Sequence, residues 1–431
     1  MKEFRLPEWV KNLLIAALSL SALYLFSLSP LYLNSPLNAW FERFSSAAPS
    51  TSGVSVSFSA AARPARIVVS NSAGRYGVQY DAAAADALFE QTGALLGEAL
   101  GSAGEAALVD EVRWRQALLG EGIYFDFSGS IPLSALAGWL RDGEKNGILS
   151  GDARRMLLAP GEDGAVWLYY QDAWDGGAFY GRSTALRAQA HLTPVTAAFV
   201  PNGAQFAFED ERFRACSPYT LITGGSTDTP VYETASPLSA GGAGLESALS
   251  ALSFSGALVT SYVSDKGTVY RLGEDVLLLG RDGALSYHSG DGALYPVARE
   301  GETPTLAEMI EATRKLASAA LEPLCGEAGI GLLSARAEGN ETHITYGYSL
   351  NGATVWTGDG GWCAQFILTG GAVTGYTLRI RTYTASEELV PLLPAAQAAA
   401  AMEALGAAGS ELLLVYRDTG ERELCAGWAA V

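Results

Sequence analysis

Carboxylates beside aromatic side chains form the pattern in this sequence that comes nearest to a catalytic site. Asp172 and Asp175 lie in the stretch 169–177, YYQDAWDGG. Two carboxylic acids next to aromatic rings are the groups with which many glycoside hydrolases cleave sugars. The same residues are also typical of a hairpin turn with solvated acids, because Asp and Gly favour turns. We expect a turn here, with a sugar-cleaving site as the alternative.

Nucleophiles and metal ligands give weaker patterns. His191, His288 and His343 are at least 55 positions apart and lack metal-ligand partners nearby in the sequence. Ser289 follows His288, but neighbours in a strand point to opposite faces, so these two side chains cannot easily meet. The G-x-S-x-G, P-loop, H-E-x-x-H and C-x-x-C motifs do not occur. The sequence therefore predicts a non-enzyme with no catalytic residue, no metal ion and no cofactor.

The four cysteines allow two interpretations. Cys216, Cys325, Cys363 and Cys425 make an even count, which permits disulfides in an exported protein. Their spacing forms no redox motif, however, and a chain with a large core does not need disulfides for stability. We expect buried free thiols. If a bridge forms, we expect its pair among the last three cysteines, which fall in the same predicted domain.

Composition excludes one broad class of partner. The chain has 431 residues, of which 49% are hydrophobic, and this length suggests two or three folded domains. Its 28 Lys and Arg are outnumbered by 46 Asp and Glu, for a formal net charge of −18. Nucleic-acid binding needs a positive surface to meet the phosphates. The sequence therefore predicts no nucleic-acid partner.

A long apolar run near the start predicts a membrane anchor. Residues 12–33 carry no charge across 22 positions. A helix of that length spans roughly 33 Å, enough for the hydrocarbon core of a bilayer. A cleaved signal peptide is the alternative, but its apolar core is only ~7–15 residues long. Basic residues precede the run, so the positive-inside rule puts the N-terminus in the cytoplasm and the bulk of the chain outside the cell. The predicted parts are a cytoplasmic tail at 1–11, a single transmembrane helix at 12–33 and a tether at 34–54.

One side of this predicted helix is a candidate partner contact. Leu14, Ala17, Ser21, Tyr24 and Leu28 recur at intervals of three and four residues. The small residues within this set allow another helix to approach closely in lipid. The alternative is that this spacing means nothing, because Ala and Ser are common throughout the chain.

The external part predicts an α+β fold in two domains. A stretch of small residues at 236–244, SPLSAGGAG, separates an N-terminal domain at 55–235 from a C-terminal domain at 245–431. In the second domain, helices alternate with antiparallel strands joined by tight turns such as Asn351-Gly352, so one helix can cover one face of each meander. Parallel crossovers are not suggested. The pattern predicts helices at 82–100, 105–119, 132–140, 246–252, 305–321 and 394–405.

Three tracts of the C-terminal domain carry a resemblance to known families. They are TYGYSLNG at 345–352 followed by Val355-Trp356, LLPAAQA at 392–398, and the terminal tract with Leu414-Val415-Tyr416, Leu424 and Trp428. On these tracts, residues 246–431 resemble the C-terminal region shared by the YycH and YycI families. The helix-on-meander units also look like PepSY modules. The additional N-terminal domain makes the layout more similar to that of YycH, whose members are longer than YycI.

This resemblance implies a regulatory role without catalysis. Members of both families are single-pass accessory regulators of the WalK/WalR (YycG/YycF) two-component system in low-GC Gram-positive bacteria. They sit on the outer face of the membrane, pair with one another and modulate the kinase through transmembrane and external contacts. The resemblance therefore implies a sensor histidine kinase and a paralogous regulator as partners, with no small-molecule substrate. The alternatives are an exported cell-wall hydrolase and a PepSY-type inhibitor or scaffold of another exported protein.

Overall fold

Helices and strands alternate along the part of the chain that the computed structural model describes. That part comprises residues 62–140, 146–224, 228–238, 242–290, 294–299, 302–358 and 360–431. Its α-helices are α1 (Ala82–Ser102), α2 (Glu111–Leu119), α3 (Leu133–Leu140), α4 (Thr193–Thr196), α5 (Ala243–Ala251), α6 (Leu306–Leu321) and α7 (Ala395–Ala404).

Side-chain caps fix where the two longest helices begin. The carboxylate of Asp81 accepts a hydrogen bond from the backbone N–H of Ala84 at 2.9 Å, so α1 begins just after Asp81. Thr305 and Glu308 form a reciprocal capping box at the start of α6. Each cap satisfies backbone N–H groups that have no partner inside the helix. Both helices are confirmed.

The first sheet is antiparallel and has both faces covered. Its strand order is β2-β1-β4-β5-β6-β7-β3. On one face, Phe89 of α1 packs edge-on against Phe125. On the other face, Trp114 of α2 packs with Tyr124 and Tyr169 in a separate aromatic cluster. The strands are β1 (Arg66–Asn71), β2 (Gly74–Gln79), β3 (Ala107–Val109), β4 (Gly122–Pro132), β5 (Asp152–Pro160), β6 (Ala165–Asp172) and β7 (Phe179–Arg187).

The second large sheet has eleven strands in the described ranges. From one edge the order is β11-β12-β13-β14-β19-β18-β16-β17-β21-β23, and β15 also pairs with β16. The remaining strands of the chain are β8 (Gln205–Phe206), β9 (Leu221–Ile222), β10 (Asp228–Ala235), β11 (Thr260–Val263), β12 (Gly267–Leu272), β13 (Asp275–Gly280), β14 (Ala284–His288), β15 (Gly329–Glu338), β16 (Glu341–Leu350), β17 (Ala353–Thr357), β18 (Ala364–Thr369), β19 (Ala372–Arg379), β20 (Thr382–Pro391), β21 (Leu412–Asp418), β22 (Glu423–Leu424) and β23 (Ala426–Ala430).

The chain has the predicted α+β class, with one departure in its strand pairing. Ile310 of α6 and Ala248 of α5 lie in the same buried cluster as Phe366 of the second sheet, so helices cover one face of that sheet. Most neighbouring strands are antiparallel, as expected. The expectation of no parallel pairing is wrong for β17 and β21, where Thr354 lies opposite Val415 in a parallel ladder. Three strands and α7 intervene between these two strands, so the chain has room to return in the same direction.

A third sheet combines strands from both sides of the predicted domain break. Strand β10 precedes that break and pairs with β20 and β22, which follow it. The short strands β8 and β9 form a separate pair. The division into domains at 55–235 and 245–431 stays a prediction.

A buried ionic cluster joins the first sheet to the residue before β21. Asp126 accepts from Arg66 at 2.5 Å and from Arg154 at 2.8 Å, while Glu411 lies 2.8 Å from both Arg154 and Arg155. The Asp126 side chain is only 1% exposed. Burial alone raises the pKa of Asp126, but the three guanidinium groups outweigh it and hold this pKa below its ordinary value.

Two strand irregularities bring backbones of distant segments together. The ladder of β4 and β5 shifts between Asp126 and Ile131, and that of β15 and β16 shifts between Leu332 and Ser334. Gly129 lies in the first irregularity, and a Cβ atom there would fall 2.2 Å from the carbonyl oxygen of Leu333. Glycine is therefore required by the contact between the two backbones.

The Asn351-Gly352 turn is confirmed and contacts the start of α1. Asn351 and Gly352 have φ values of 48° and 81°, which suit a tight hairpin turn. The amide of Asn351 donates to the carbonyl of Tyr80 at 3.1 Å and accepts from the N–H of Ala82 at 3.0 Å. A turn between β16 and β17 thus holds the first residues of α1.

No helix within the described ranges is long and apolar enough to cross a membrane. The predicted transmembrane helix at 12–33 lies outside the described residues, as do the tail at 1–11 and the tether at 34–54. These three assignments stay predictions.

Candidate interaction surface

The predicted partner-contact residues cannot be placed, because all of them lie outside the described residues. They are Leu14, Ala17, Ser21, Tyr24 and Leu28. The candidate sites that can be placed therefore belong to the folded part of the chain.

The carboxylates near Trp174 hold a turn, as the sequence predicts. The Asp172 side chain accepts from the backbone N–H groups of Trp174 at 2.9 Å and Asp175 at 3.0 Å. Asp175 in turn accepts from the hydroxyl of Tyr180. The expectation that both acids are solvated is wrong for Asp172, which is 8% exposed. Both carboxylates are therefore engaged in hydrogen bonds within the turn.

A neighbouring acid, Asp152, was not identified from the sequence. Asp152 begins β5 and its N–H donates to Asp172 Oδ2 at 3.3 Å. Burial first, and then the charge of Asp172, raise the pKa of Asp152 to about 6, against the opposing hydrogen bond from Trp174. No local pattern in the sequence indicates that positions 152 and 172 are neighbours. The two residues come together only because β5 pairs with β6.

Asp152→Asn is expected to stabilise the chain at neutral pH. A carboxyl whose folded pKa lies above its unfolded pKa of ~3.9 destabilises the fold once it ionises. The penalty is absent below pH ~4 and grows as the pH rises through about 6. After allowance for solvent screening, we expect a gain of about 1 kcal/mol at pH 7. Urea unfolding at pH 7 and pH 3.5 measures it, and an equal gain at both values would contradict this account.

The histidines occupy ordinary positions. His191 accepts from the N–H of Arg187 at 3.1 Å, and His343 lies 3.3 Å from Glu341. Ser289 follows His288 at the end of β14, and its N–H donates to the carbonyl of Thr374. Within the described residues, no group of three or more His, Cys, Asp and Glu side chains is placed to hold a metal ion.

All four cysteines are free thiols, as expected. Cys216, Cys325 and Cys363 are buried, and burial raises the pKa of each thiol above its ordinary value. The expectation of burial is wrong for Cys425, which is exposed. A thiol with a raised pKa is a poor nucleophile at neutral pH, so the buried three behave as small apolar side chains.

The second large sheet has one face that the helices do not cover. Residues directly opposite one another in neighbouring strands share a face, and successive residues alternate between faces. The row through Leu277, Tyr287, Tyr376, Phe366 and Ile344 is buried with α5 and α6. The residues on either side of this row therefore point to the opposite face.

We name this surface the open face and define it by two rows across eight strands. The rows follow from the strand registers. The first row comprises Tyr262, Val269, Leu278, Ser286, Thr377, Gln365, Thr345 and Ser334, and the second comprises Thr260, Arg271, Val276, His288, Gly375, Ile367, His343 and Arg336.

The open face carries charged side chains of both signs. Its two rows contain Arg271, Arg336, His288 and His343 and no Asp or Glu. Acidic side chains border the rows, however: Glu338 lies 3.3 Å from Arg336, and Glu341 lies 3.3 Å from His343. Asp282 lines a pocket together with Leu278, Ser286 and Thr377 of the same face. The guanidinium of Arg336 also stacks on the ring of Trp174.

Aromatic rings extend the same face beyond the two rows. Arg379, two positions after Thr377, lies with its guanidinium 3.8 Å from the ring centre of Trp362. Arg417 lies 4.9 Å from the ring centre of Trp356, its partner across β17 and β21. Stacking on an aromatic ring holds a guanidinium in place, and Arg379 is held further by donating to the backbone carbonyl of Thr357 at 2.7 Å. These arginines are far apart in sequence, so only the sheet register could reveal their common face.

Comparison with known proteins supports the fold but names no close relative. No protein-family profile and no curated protein matches the sequence. Among solved structures, the chain is similar to the crystal structure of YycH from Bacillus subtilis, with a TM-score of 0.55. The match covers 86% of this chain and 94% of that chain at 10% sequence identity. At this identity the likeness shows a YycH-like fold and no more.

Proposed function

We propose that this chain is a membrane-anchored, extracytoplasmic regulator of a sensor histidine kinase that acts through protein contacts and has no catalytic role. The observation that carries the proposal is the YycH-like fold over 86% of the chain. It agrees with the resemblance of residues 246–431 to the YycH and YycI families. Because those families modulate WalK, we infer a WalK-type kinase as the main partner and a paralogous regulator as a second.

The organisation of the chain supports this role. The predicted helix at 12–33 would hold the folded body at the outer surface of the membrane, where the external part of a sensor kinase lies. The chemistry near Trp174 serves a turn, so it favours binding over sugar cleavage. We also propose that the C-terminal domain at 245–431 shares the helix-on-meander architecture of YycI and of PepSY modules.

Mild crosslinking in intact cells tests the partner. The full-length chain carries a C-terminal tag and is purified after crosslinking, and its adducts are identified by mass spectrometry. We expect a sensor histidine kinase as the main adduct. If the main adduct is an exported enzyme and no kinase is found, the PepSY-type inhibitor or scaffold is the better explanation. Release of soluble wall fragments by the purified chain would instead indicate a hydrolase.

Substitution on the predicted helix tests the transmembrane contact. We expect Ala17→Ile to reduce kinase recovery by about tenfold, because a bulky side chain separates closely packed helices. Ala16→Ile adds the same bulk about 100° further round the helix and should leave recovery nearly unchanged. Quantitative recovery of the crosslinked kinase from membranes is the measurement. Equal recovery from the two variants would exclude this helix face as the contact.

A further inference from the structure

Strand β11 forms one edge of the second large sheet. In the part of the chain that the structure describes, β11 pairs with β12 and with no other strand. Leu258, just before the strand, and Val263, within it, are each 82% exposed, and Tyr262 is 53% exposed. Residues 256–264, GALVTSYVS, contain no charged residue and no proline. Charges and prolines are features with which proteins protect an edge strand from pairing, so this edge is open to a further strand.

The register of the β11–β12 hairpin shows which backbone groups point outward. Ser264 and Gly267 exchange backbone hydrogen bonds at the tip of the hairpin. Hydrogen-bonded and non-bonded pairs alternate along an antiparallel ladder, so the backbone of Tyr262 bonds to β12. The N–H and C=O groups of Ser261 and Val263 therefore point away from β12, toward the outer edge.

The edge of the first sheet at β2 is covered, in contrast to the edge at β11. There the side chain of Asn202 accepts from the N–H of Gly77 at 3.0 Å and donates to its carbonyl at 2.8 Å. Among the described residues, no such contact reaches the outward groups of Ser261 and Val263. Two donors and two acceptors spaced along an extended strand fit one kind of ligand, which is another extended backbone.

A second copy of β11 supplies such a backbone with the same outward groups. If two copies run antiparallel about a twofold axis at Tyr262, Ser261 of one copy lies opposite Val263 of the other. All the outward groups then exchange hydrogen bonds. Tyr262 lies opposite Tyr262 of the second copy in a non-bonded pair, where side chains are closest and aromatic pairs stabilise a sheet.

Local charge does not oppose this pairing. In the same register, Asp265 and Lys266 at the hairpin tip fall beside the uncharged Val259 and Leu258 of the second copy, so no like charges face each other. The chain has a formal charge of −18, but charges beyond a Debye length of ~8 Å are screened.

The small size of the edge sets the conditions for pairing. The four residues of β11 span only ~14 Å. Their contact is far smaller than the ~800 Å² that each partner buries in a stable complex. Pairing therefore needs a high local concentration, which the predicted anchor at 12–33 would provide by confining copies to one membrane.

We infer that β11 is a self-pairing surface through which two copies of this chain join their second large sheets edge to edge. The assembly stops at two copies, because both use the same strand and the contact is closed by its twofold symmetry. The inference is independent of the proposed function. A kinase adduct without self-pairing would leave only the proposed function standing, and self-pairing without a kinase adduct would leave only this inference.

Disulfide trapping in native membranes tests the twofold register. The full-length chain carries Cys425→Ser, which removes the exposed native thiol, together with Tyr262→Cys. Cα atoms of a non-bonded pair are ~4.5 Å apart, which is within the range of a disulfide. After mild oxidation we expect most of the chain as a dimer whose two peptides are joined at position 262.

Two control positions show whether the trapped dimer is specific. In the proposed register, Ser261 and Ser261 of the second copy are diagonal neighbours about 7–8 Å apart, beyond the reach of a disulfide. Gln91 is exposed on α1, far from β11 in the sequence. We expect Ser261→Cys and Gln91→Cys to give at least about fivefold less dimer than Tyr262→Cys. Equal yields from either control, no dimer from position 262, or a bond from position 262 to a different protein would overturn the inference.

Proline at position 263 tests the backbone contact without a thiol. Val263→Pro removes an N–H that points outward, so the ladder between β11 and β12 keeps its hydrogen bonds. We expect this variant to reduce the co-purification of two differently tagged full-length copies from membranes about tenfold. Val263→Ala keeps the N–H and should reduce it by less than about twofold. Equal recovery from the two variants would contradict pairing through the backbone of β11.

Discussion

The Asp126→Asn variant is expected to lose about 3–5 kcal/mol of its free energy of unfolding at pH 7. The Asp126 carboxylate accepts from Arg66 and Arg154, and its side chain is 1% exposed. Without that negative charge, Glu411 is the one carboxylate that remains paired with the buried guanidinium groups in the part of the chain that the structure describes. A buried charge that loses its partner is far more costly than a broken surface pair. Urea unfolding of the full-length chain in detergent measures the loss.

The pH dependence of this loss in the free energy of unfolding provides a second test of the same prediction. The folded pKa of Asp126 is depressed, so its stabilising effect is present above the unfolded pKa of ~3.9. That effect is lost as the pH falls through the folded pKa, which lies near 2. The difference between wild type and variant should therefore shrink below pH ~4. A difference that stays constant down to pH 2.5 would show that charge is not its cause.

The Arg63–Asp86 ion pair provides a matched control. Its side chains are 39% and 36% exposed, so water screens the charges. Asp86→Asn removes the same charge as Asp126→Asn and is expected to cost less than about 1 kcal/mol. Comparable losses in the two variants would contradict the special role of the buried cluster.

Gly129→Ala is expected to destabilise the contact between β4 and β15 by about 1–3 kcal/mol. The added Cβ would lie 2.2 Å from the carbonyl oxygen and 2.3 Å from the Cα of Leu333. Both are backbone atoms, so no rotation of a side chain relieves the clash. Faster amide hydrogen exchange in β4 and β15 should accompany the loss, and it reports where the structure opens.

Gly138→Ala is the control for this substitution. Gly138 lies in α3, and a Cβ atom added there would meet no neighbouring atom within 4 Å outside the backbone of its own helix. Alanine favours a helix over glycine by up to about 1 kcal/mol, so this variant should be as stable as wild type or more so. Destabilisation by both variants would mean that an added methyl group is poorly tolerated in general. The clash with Leu333 would then no longer explain the loss of stability in Gly129→Ala.

Local signals in the sequence predicted local structure well. Asp81 and Thr305 mark helix starts because a cap depends on residues within one turn. Asn351-Gly352 marks its hairpin for the same reason. The predicted helix at 105–119 is correct only from Glu111, after Asp110 caps it, because the preceding Ala107–Val109 pairs with β7 as a strand. That pairing depends on a partner some 70 positions away in the sequence.

Functional features that depend on register could not be predicted in this way. The buried cluster brings Arg66 together with Glu411, and the turn near Trp174 brings Asp172 beside Asp152. The open face exists only when strands from Thr260 to Thr377 are aligned, since a shift of one residue would turn each side chain to the other face. Sequence tracts indicated a resemblance to the YycH and YycI families, and the comparison of folds supports the resemblance to YycH.

Reconstitution with a WalK-type kinase from the same organism tests the central proposal most directly. The full-length chain and the kinase are placed together in lipid vesicles, and the rate of kinase autophosphorylation is measured. We predict a several-fold change in that rate with the full-length chain, and a smaller change when the chain carries Ala17→Ile. An autophosphorylation rate that is the same with and without the full-length chain would contradict the account.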